Sequence, residues 1–313
     1  MGDNQTSDKQ LFRQLKQLDT EQRNESTREI DLADPLEIAR LINAEDKKVA
    51  HQVEKKLPEV AEAITLVEEA ITDGGRLIYA GAGTSGRLGV IDAAECPPTF
   101  GTRPDQIQGL IAGGNQAMFA AKEGAEDKES NGRKAMDNID LQPPDVLCGL
   151  AASGRTPYVL GALKEAADRG CKSIFVTTVP ADQTTAQPDV MIDIPVGPEV
   201  VMGSTRMKSA TAQKMVLNMI TTGAMIRYGK VYENVMVDLM QTNEKLKERA
   251  KRIIMMFTDA GYDEAANSLE KAGGHVKTAL LMELANVSQR DAKKLLSEHD
   301  GFIREAYLSI QGN

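Results

Sequence analysis

The sequence feature that most restricts the fold is an alternation, from Arg76 onward, of short apolar runs with longer amphipathic stretches. Each run has four to six residues, as buried strands do, and the runs are Leu77–Ala80, Ile107–Ala112, Val146–Leu150, Ser173–Thr178 and Met191–Pro195. Helices are predicted between most of them and after the last, at Leu88–Glu95, Gln116–Ile139, Tyr158–Arg169 and Met207–Tyr228. This order predicts an α/β fold in which helices cover both faces of a five-stranded parallel sheet, a three-layer α/β/α sandwich.

Helices are also predicted before this repeat. Residues 1 to about 33 are polar and charged and predict an arm, after which Asp34 and Pro35 supply a helix N-cap and a first-turn proline. The apolar side chains that follow are expected to form a first buried stripe: Leu36, Ile38, Leu41 and Ile42. A longer helix then continues the apolar spacing to Ile71 and ends at Gly74–Gly75.

Beyond about Asp238 the strands stop, and short helices are broken at Gly261, Gly273–Gly274 and Gly301. The segment ANSLEKAGGHVKTALLMEL resembles a three-helix ubiquitin-associated (UBA) domain, and we interpret it as a packing module. The chain is therefore predicted to comprise an N-terminal helical part (residues 1–65), a sheet domain (residues 66–230) and a small UBA-like helical domain (residues 231–313).

The charge and the residue composition restrict the kinds of partner that the chain can be expected to bind. The net charge of -9 argues against nucleic-acid binding, although backbone amides can still hold a small phosphorylated ligand. Three widely spaced cysteines form no CxxC pair, and the three histidines show no metal-ligand spacing, so neither a disulfide framework nor a metal site is expected. The first residues form no apolar run, and no stretch reaches the roughly 18 apolar residues of a membrane span. We expect a cytoplasmic protein.

The first candidate loop is GAGTSGR, Gly81–Arg87, between a strand and a helix. It fits GxGxxG, but a dinucleotide site also needs an acid about 20 positions further on, and the second strand ends in IAGGN without one. A nucleotide-triphosphate loop fails because Arg87 and Leu88 stand where Lys and Ser or Thr are required. What remains is either a tight turn or an anion site at a helix N-terminus.

Two further loops, AASGRTPY after the third strand and GSTRMKS before the closing helix, also place hydroxyl and basic side chains at helix starts. Helix capping could explain each loop alone, but three such loops favour a phosphate-bearing ligand. The carboxyl edge of the sheet is where open α/β sheets bind ligands. The side chains predicted to bind the phosphate-bearing ligand are Thr84, Ser85, Ser153, Arg155, Thr156, Ser204 and Lys208.

Two glutamates are candidates for proton transfer. Glu95 precedes Cys96-Pro97-Pro98, so we expect it in the last turn of its helix, where the negative end of the dipole favours a protonated carboxyl. Glu126 lies in KEGAEDKES, where Gly124 interrupts a helical pattern. From spacing alone, a solvated surface charge is the favoured interpretation of each.

Several long segments together closely resemble the N-acetylmuramic acid 6-phosphate etherase family of the sugar isomerase (SIS) fold group: GAGTSGRLGVIDAAECPPTFG, EGAEDKESNG, AASGRTPY and GSTRMKSATAQKMVLNM. TEQRNESTREID and HDGFIREA extend the likeness over about residues 20 to 305. Departures are few. Asp34-Pro35 stands where Ser-Thr is common, and Met202, Ser209 and Ala210 replace a more usual Thr, Ala and Gly.

The resemblance implies an SIS-type sandwich and a cofactor-free homodimeric lyase of cell-wall sugar recycling. It would convert N-acetylmuramic acid 6-phosphate to N-acetylglucosamine 6-phosphate and D-lactate. Carried over by motif, the acid catalyst falls on Glu95 and a second catalytic glutamate on Glu126. The sugar phosphate would contact Ser85, Ser153 and Thr156.

Two alternatives remain. A sugar-phosphate isomerase on this fold would also move a C2 proton with a glutamate but would release no lactate. A non-catalytic regulator resembling the glucokinase regulatory protein would need the phosphate loops but not both glutamates, and such proteins are longer, with two SIS units. The paired Glu95 and Glu126 favour the lyase.

Overall fold

The structure, a computed structural model, describes residues 19–239 and 244–311. Its main sheet is built from parallel strands β1 (Leu77–Gly81), β2 (Ile107–Ile111), β3 (Val146–Leu150), β4 (Lys172–Thr177) and β5 (Val190–Asp193). They lie in the order β2-β1-β3-β4-β5. The predicted five-stranded parallel sheet is confirmed, because the short apolar runs have the length and two-sided burial of strands covered on both faces.

Helices account for most of the remaining described chain. In chain order they are α1 (Pro35–Glu54), α2 (Leu57–Thr72), α3 (Gly83–Phe100), α4 (Glu129–Asn138), α5 (Pro157–Asp168), α6 (Lys208–Arg227), α7 (Glu244–Phe257), α8 (Tyr262–Lys271), α9 (Val276–Ala285), α10 (Gln289–Glu298) and α11 (Ile303–Gln311). Short 3-10 turns occupy Asp19–Glu21, Glu25–Thr27, Ile30–Leu32, Asn115–Met118 and Ala181–Gln183. Within the described ranges, no helix combines the length and apolar character needed to cross a bilayer.

The chain forms two compact units: one contains residues up to Ala94 and Asp105–Thr221, and the other contains Glu95–Pro104 and residues from Thr222 onward. In the first, β1 leads through α3 to β2 on one side, whereas β3 leads through α5 to β4 on the other. The carboxyl ends of β1 and β3 therefore form the point where strand order reverses, the usual ligand position in such sheets. The loops after these two strands are the first and second candidate loops.

The N-terminal helices belong to the sheet unit, because α2 packs on β1, β3 and β5 and buries Val60 and Val67. The predicted N-cap is confirmed: the Asp34 side chain accepts a hydrogen bond from the Glu37 amide. The predicted continuous helix to Ile71 is wrong, since α1 and α2 are separated at Lys55–Lys56, just before Pro58.

The predicted buried stripe at the start of α1 is also wrong for the single chain. Leu36 is 59% exposed, and Ile38, Leu41 and Ile42 are only half-buried. The apolar spacing was read correctly as helical, but within this chain the face it produces is left partly uncovered.

The second unit has its own apolar core. Buried side chains of α7, α8 and α9, including Ile254, Leu269 and Leu280, pack with a small hairpin of β6 (Val231–Tyr232) and β7 (Val235–Met236). The rings of Tyr232 and Phe257 meet edge to face with 5.0 Å between centroids. The predicted C-terminal helices are confirmed, and the predicted glycine breaks fall between α7 and α8, α8 and α9, and α10 and α11.

Candidate active site

The first candidate loop is shaped by close contact between a strand end and the helix that follows it. A Cβ added to Gly81 would lie 2.7 Å from the backbone nitrogen of Gly86, and one added to Gly86 would lie 2.7 Å from the Gly81 carbonyl oxygen. Both separations are below van der Waals contact. The outer glycines of GAGTSG therefore serve strand–helix packing, which explains the motif without a dinucleotide.

Helix α3 begins at Gly83, directly after this strand end, so Thr84 and Ser85 occupy its first turn. Thr84 is half-buried and Ser85 is buried. First-turn amides have no carbonyl partner within their own helix, and the positive end of the helix dipole lies there. These features are compatible with an anion at this loop, and anion binding there stays a prediction.

The second loop is fixed by hydrogen bonds to the neighbouring strand. The hydroxyls of Thr177 and Thr178 both donate to the Ala152 carbonyl, at 3.3 and 3.0 Å. Thr156 is the N-cap residue of α5, yet among the described residues its side chain makes no capping hydrogen bond. The residue is half-buried and its hydroxyl is not used in the cap, which weakens the interpretation of this loop as helix capping alone.

Ser153 and Arg155 of the second loop are also half-buried. The Ser153 hydroxyl accepts a long hydrogen bond of 3.4 Å from the Arg155 amide. The guanidinium of Arg155 donates to the Gln183 carbonyl at 3.2 Å, which anchors one nitrogen to the protein. Arg155 can therefore help to hold the loop shape as well as offer its other nitrogens to a ligand.

Glu126 lies in a turn rather than in the helix predicted at Gln116–Ile139, and that prediction is wrong. The segment contains the 3-10 turn Asn115–Met118, irregular turns and then α4, because Gly124 adopts a left-handed conformation with φ of 73°. The break suspected at Gly124 is present.

The turn places Glu126 against both candidate loops. The Glu126 carbonyl accepts a hydrogen bond of 2.9 Å from the Tyr158 amide in the first turn of α5, next to the second loop. Glu126 also lines a pocket of about 160 Å³ with Gly83 and Arg87 of the first loop. The Arg87 guanidinium donates to the Met118 carbonyl at 3.1 Å, which ties the two walls together.

A helix–helix contact fixes where this turn lies. A Cβ on Gly132 of α4 would be 1.9 Å from the Tyr158 carbonyl oxygen, and one on Gly161 of α5 would be 2.0 Å from the Glu129 carbonyl oxygen. The two helices therefore touch backbone to backbone. Since α4 begins just after Glu126, this contact positions the glutamate turn relative to the second loop.

The environment of Glu126 favours its protonated form. Partial burial in the pocket wall raises the pKa of the Glu126 carboxyl, and the negative charge of Asp127 raises that pKa further. A carboxyl with a raised pKa transfers protons more effectively near neutral pH than an ordinary surface glutamate. Although Glu126 as a whole is exposed in the single chain, the desolvation of its carboxyl and the charge of Asp127 distinguish it from an ordinary surface glutamate.

Glu95 does not occupy a helix end, which corrects the sequence prediction. Helix α3 continues through Pro97 and Pro98 to Phe100, so Glu95 lies more than a turn before its terminus, and the argument from the helix dipole does not apply. Proline only disfavours helical geometry at the residue before it, and here that preference is overridden. Glu95 is exposed and lies at the point of α3 where the second compact unit begins.

The third loop is built differently from the other two. The carboxylate of Glu199 accepts hydrogen bonds from the amides of Lys208 and Ser209, at 3.0 and 2.9 Å, so it already occupies the start of α6. The Lys208 ammonium is buried and paired with Glu45 at 2.8 Å. The prediction of Lys208 as a ligand contact is therefore corrected: its charge neutralises a buried carboxylate.

Ser204 remains half-buried in this third loop. Sequence reasoning missed both glutamates: Glu199 meets the amides of Lys208 and Ser209 across a loop that has no regular spacing, and Glu45 lies 163 positions from Lys208. The structure thus brings Glu126 together with the first and second loops. It anchors the third loop instead through the buried ion pair between Lys208 and Glu45.

Comparison with known proteins agrees with this picture. Residues 59–167 match the glucokinase regulatory protein N-terminal SIS domain, and residues 129–223 match the SIS domain. The SIS-type fold expected from the motifs is confirmed. The chain is also similar to a phosphoheptose isomerase structure from Neisseria gonorrhoeae, with 17% identity, a TM-score of 0.46 and coverage of 62% of this chain and 98% of that one. That likeness is too low to bear on function.

Curated relatives are much closer. A Salinibacter ruber protein named N-acetylmuramic acid 6-phosphate etherase is 55% identical over 297 residues, covering 95% of this chain and 96% of the relative. Proteins of the same name from Clostridioides difficile and Photorhabdus laumondii are 49% and 50% identical and cover 96% and 95% of this chain and 99% of each relative. With such identity along nearly its whole length, the chain belongs to the N-acetylmuramic acid 6-phosphate etherase family.

Proposed function

We propose that this chain is a carbon–oxygen lyase that cleaves the lactyl ether of N-acetylmuramic acid 6-phosphate, yielding N-acetylglucosamine 6-phosphate and D-lactate. The observation that carries the proposal is the Glu126 carboxyl, whose pKa is raised, in a pocket shared with the first loop and beside the second. The name of the close relatives supplies the substrate. Amino-sugar recycling is the corresponding pathway class.

The reaction needs two proton-transferring groups. In the open-chain sugar the C2 proton is acidified by the neighbouring aldehyde, and a carboxylate removes it. The C3–O bond then breaks, the departing lactate oxygen takes a proton from a carboxylic acid, and water adds to the resulting double bond at C3. Atoms balance as one water consumed and one lactate released. No metal or organic cofactor enters this scheme.

We assign C2 deprotonation to Glu126, because a raised pKa makes its carboxylate a stronger base. Glu95 then supplies the proton to the leaving lactate. This second assignment follows from the motif and from the need for a partner acid, now that the argument from the helix end no longer applies.

The assignment can be tested by separating the two half-reactions in deuterated water. Glu95→Gln should release no lactate yet still exchange the C2 hydrogen of substrate, whereas Glu126→Gln should lose both. Glu62→Gln, an exposed glutamate on α2, is the matched control and should behave as wild type. The reverse pattern would exchange the roles. Near-normal lactate release by both variants, or none by wild type, would exclude the proposal.

We propose that the first and second loops bind the sugar phosphate, with Thr84, Ser85, Ser153, Thr156 and a free nitrogen of Arg155 as donors. Support comes from the first turn of α3 and from a Thr156 hydroxyl not used in the helix cap. Replacing Ser153 and Thr156 by alanine should weaken substrate binding by about 1–3 kcal/mol, measured by calorimetry. Unchanged affinity would limit the second loop to a structural role. Ser204 is a further candidate.

A sugar-phosphate isomerase on the same fold is the alternative from the same chemical class. It would exchange the C2 hydrogen and form a ketose, with no lactate. A non-catalytic regulator would bind the sugar phosphate and do neither. Assaying lactate and ketose together from wild-type protein therefore distinguishes the three functions.

We also propose a homodimer. The start of α1 leaves Leu36 59% exposed, and Leu32 just before it is 79% exposed, so the described residues leave these apolar side chains uncovered. A second copy is the occupant that the family resemblance implies. Light scattering should give twice the mass of one chain, and Leu32→Ser/Leu36→Ser should reduce it. A monomeric wild type with full activity would contradict the proposal.

The compartment we propose is the cytoplasm. The described cysteines, Cys96, Cys148 and Cys171, are all free and buried, as suits a reducing compartment. Fractionation of the producing cell should recover the protein and its activity with cytoplasmic markers.

A further inference from the structure

Asp92 is a buried carboxylate on α3 that the proposed chemistry does not use. It is 7% exposed and accepts hydrogen bonds from the Tyr79 hydroxyl at 2.8 Å, the Asn218 side-chain amide at 2.6 Å and the Thr221 hydroxyl at 3.3 Å. These donors belong to β1 and α6. One carboxylate therefore fixes three elements relative to one another.

Burying this group has a cost that ordinary packing would avoid. Burial raises the pKa of Asp92, while the three hydrogen bonds and the charge of Lys214 act in the opposite direction. Its charge also contributes to raising the pKa of the buried Cys148 thiol on β3. A leucine of similar size would suit an apolar helix–sheet contact, so a retained carboxylate points to a need for defined geometry.

The part of α3 that requires defined geometry is the next turn, which carries Glu95. Pro97 and Pro98 have no amide hydrogen, so the carbonyls of Ala93 and Ala94 lose their normal partners four residues later. The turn that carries Glu95 is thus weakly held by its own helix. Its direction is set by the preceding turn, and Asp92 is the residue that anchors that turn to the sheet and to α6.

We infer that Asp92 is a positioning residue that holds the Glu95 turn of α3 in place by tying it to Tyr79 and Asn218. The inference rests on the proposed role of Glu95 as proton donor. Residues three apart on a helix lie on neighbouring parts of its surface, so a tilt at Asp92 displaces the Glu95 carboxyl directly. Positioning of this kind affects the elimination step and not the removal of the C2 proton.

The test compares lactate release with C2 hydrogen exchange. Asp92→Ala should lower kcat for lactate release about tenfold to a hundredfold, with KM within about twofold, while exchange continues. Asp92→Asn keeps the shape and two hydrogen-bonding atoms and should restore most of the release. Tyr79→Phe removes one donor with little change of volume, and it should reduce release by a smaller factor. Tyr79→Phe therefore serves as the test if the Asp92→Ala protein does not fold.

Ser173→Ala is the matched control, because it removes a buried hydroxyl that is hydrogen-bonded to Asp189 and lies on β4, two strands away from β1. It should lower stability without changing the ratio of release to exchange. Equal loss of release and exchange in Asp92→Ala and Tyr79→Phe, or no loss in either, would overturn the positioning role. Normal lactate release by Glu95→Gln would instead show that the proposed function of Glu95 had failed.

Discussion

Glu126 owes its raised pKa to two separable causes, burial in the pocket wall and the neighbouring charge of Asp127. In its proposed role as base it must be ionised, so activity should be present above its pKa in the folded enzyme and be lost as pH falls through that value. Because the pKa lies above its ordinary 4.5, the acid limb of the profile should lie above pH 4.5 as well.

Removing the second cause gives a prediction at this scale. Asp127→Asn should lower the pKa of Glu126 and move the acid limb of kcat/KM to lower pH, measured by lactate release between pH 4 and 9. The substrate phosphate titrates identically with both enzymes, so the difference between their profiles reports the protein. Glu62→Gln should leave the limb in place. A limb that stays fixed in Asp127→Asn would mean that Glu126 does not govern it.

The predictions from sequence differ most in accuracy from one single residue to another. The motifs single out Glu126 and the hydroxyls of the first two loops as candidates, because residue type and order along the chain carry that information, and their roles stay predictions. They misplaced Glu95, since two prolines that usually end a helix are accommodated within α3. They also misjudged Lys208, whose partner Glu45 is 163 positions away in the chain.

At the scale of elements, the backbone contact between α4 and α5 determines where Glu126 lies. A glycine inside a helix ordinarily costs stability relative to alanine, so Gly132 is kept for the contact it permits. Gly132→Ala should lower the free energy of unfolding by about 1–3 kcal/mol and reduce activity, because α4 must move off the Tyr158 carbonyl. Urea unfolding followed by circular dichroism measures the first and lactate release the second.

The comparison for that variant is Ser130→Ala, an exposed position on the same helix, which should change stability little. A Gly132→Ala protein as stable as wild type would show that the helices can separate without penalty. In that case hydrogen bonds, such as the one from the Tyr158 amide to the Glu126 carbonyl, would be enough to hold the glutamate turn.

Strands were easier to predict than the connections between them. In the main sheet, no boundary of β1 to β5 differs from its prediction by more than two residues, because an apolar run of strand length is itself the signal, whereas the two-residue strands β6 and β7 were too short to predict. The stretch Gln116–Ile139 misled the prediction, since helix-forming residues flank Gly124, and only contact with α5 decides that a turn forms there. The predicted buried stripe at the start of α1 is wrong for another reason: periodicity identifies an apolar face but not what covers it.

At the scale of the whole molecule, a buried charge network joins the beginning of the chain to a late helix. Glu45 of α1 accepts hydrogen bonds from Lys208, Lys48 and Asn24. The arm is further held by the Thr27 hydroxyl, which donates to the Val200 carbonyl at 2.8 Å. Thus the described part of the arm (residues 19–33), α1 and the third loop are fixed together at one point, and acid should release all three.

Burial alone would raise the pKa of Glu45, but hydrogen bonds from Lys208, Lys48 and Asn24 hold that pKa down at about 2, against 4.5 ordinarily. A depressed pKa contributes stability above pH 4.5 that is lost as pH falls toward 2, on the order of 3 kcal/mol.

Glu45→Gln should therefore lower the free energy of unfolding at pH 7 by about 3–5 kcal/mol, because the Lys208 charge is left buried and unpaired. The gap to wild type should narrow as pH approaches 3 in urea titrations. Glu45→Leu/Lys208→Met should recover most of the loss, and exposed Glu54→Gln should show none. A gap independent of pH would mean that packing, and not the ionised carboxylate, holds the arm and third loop in place.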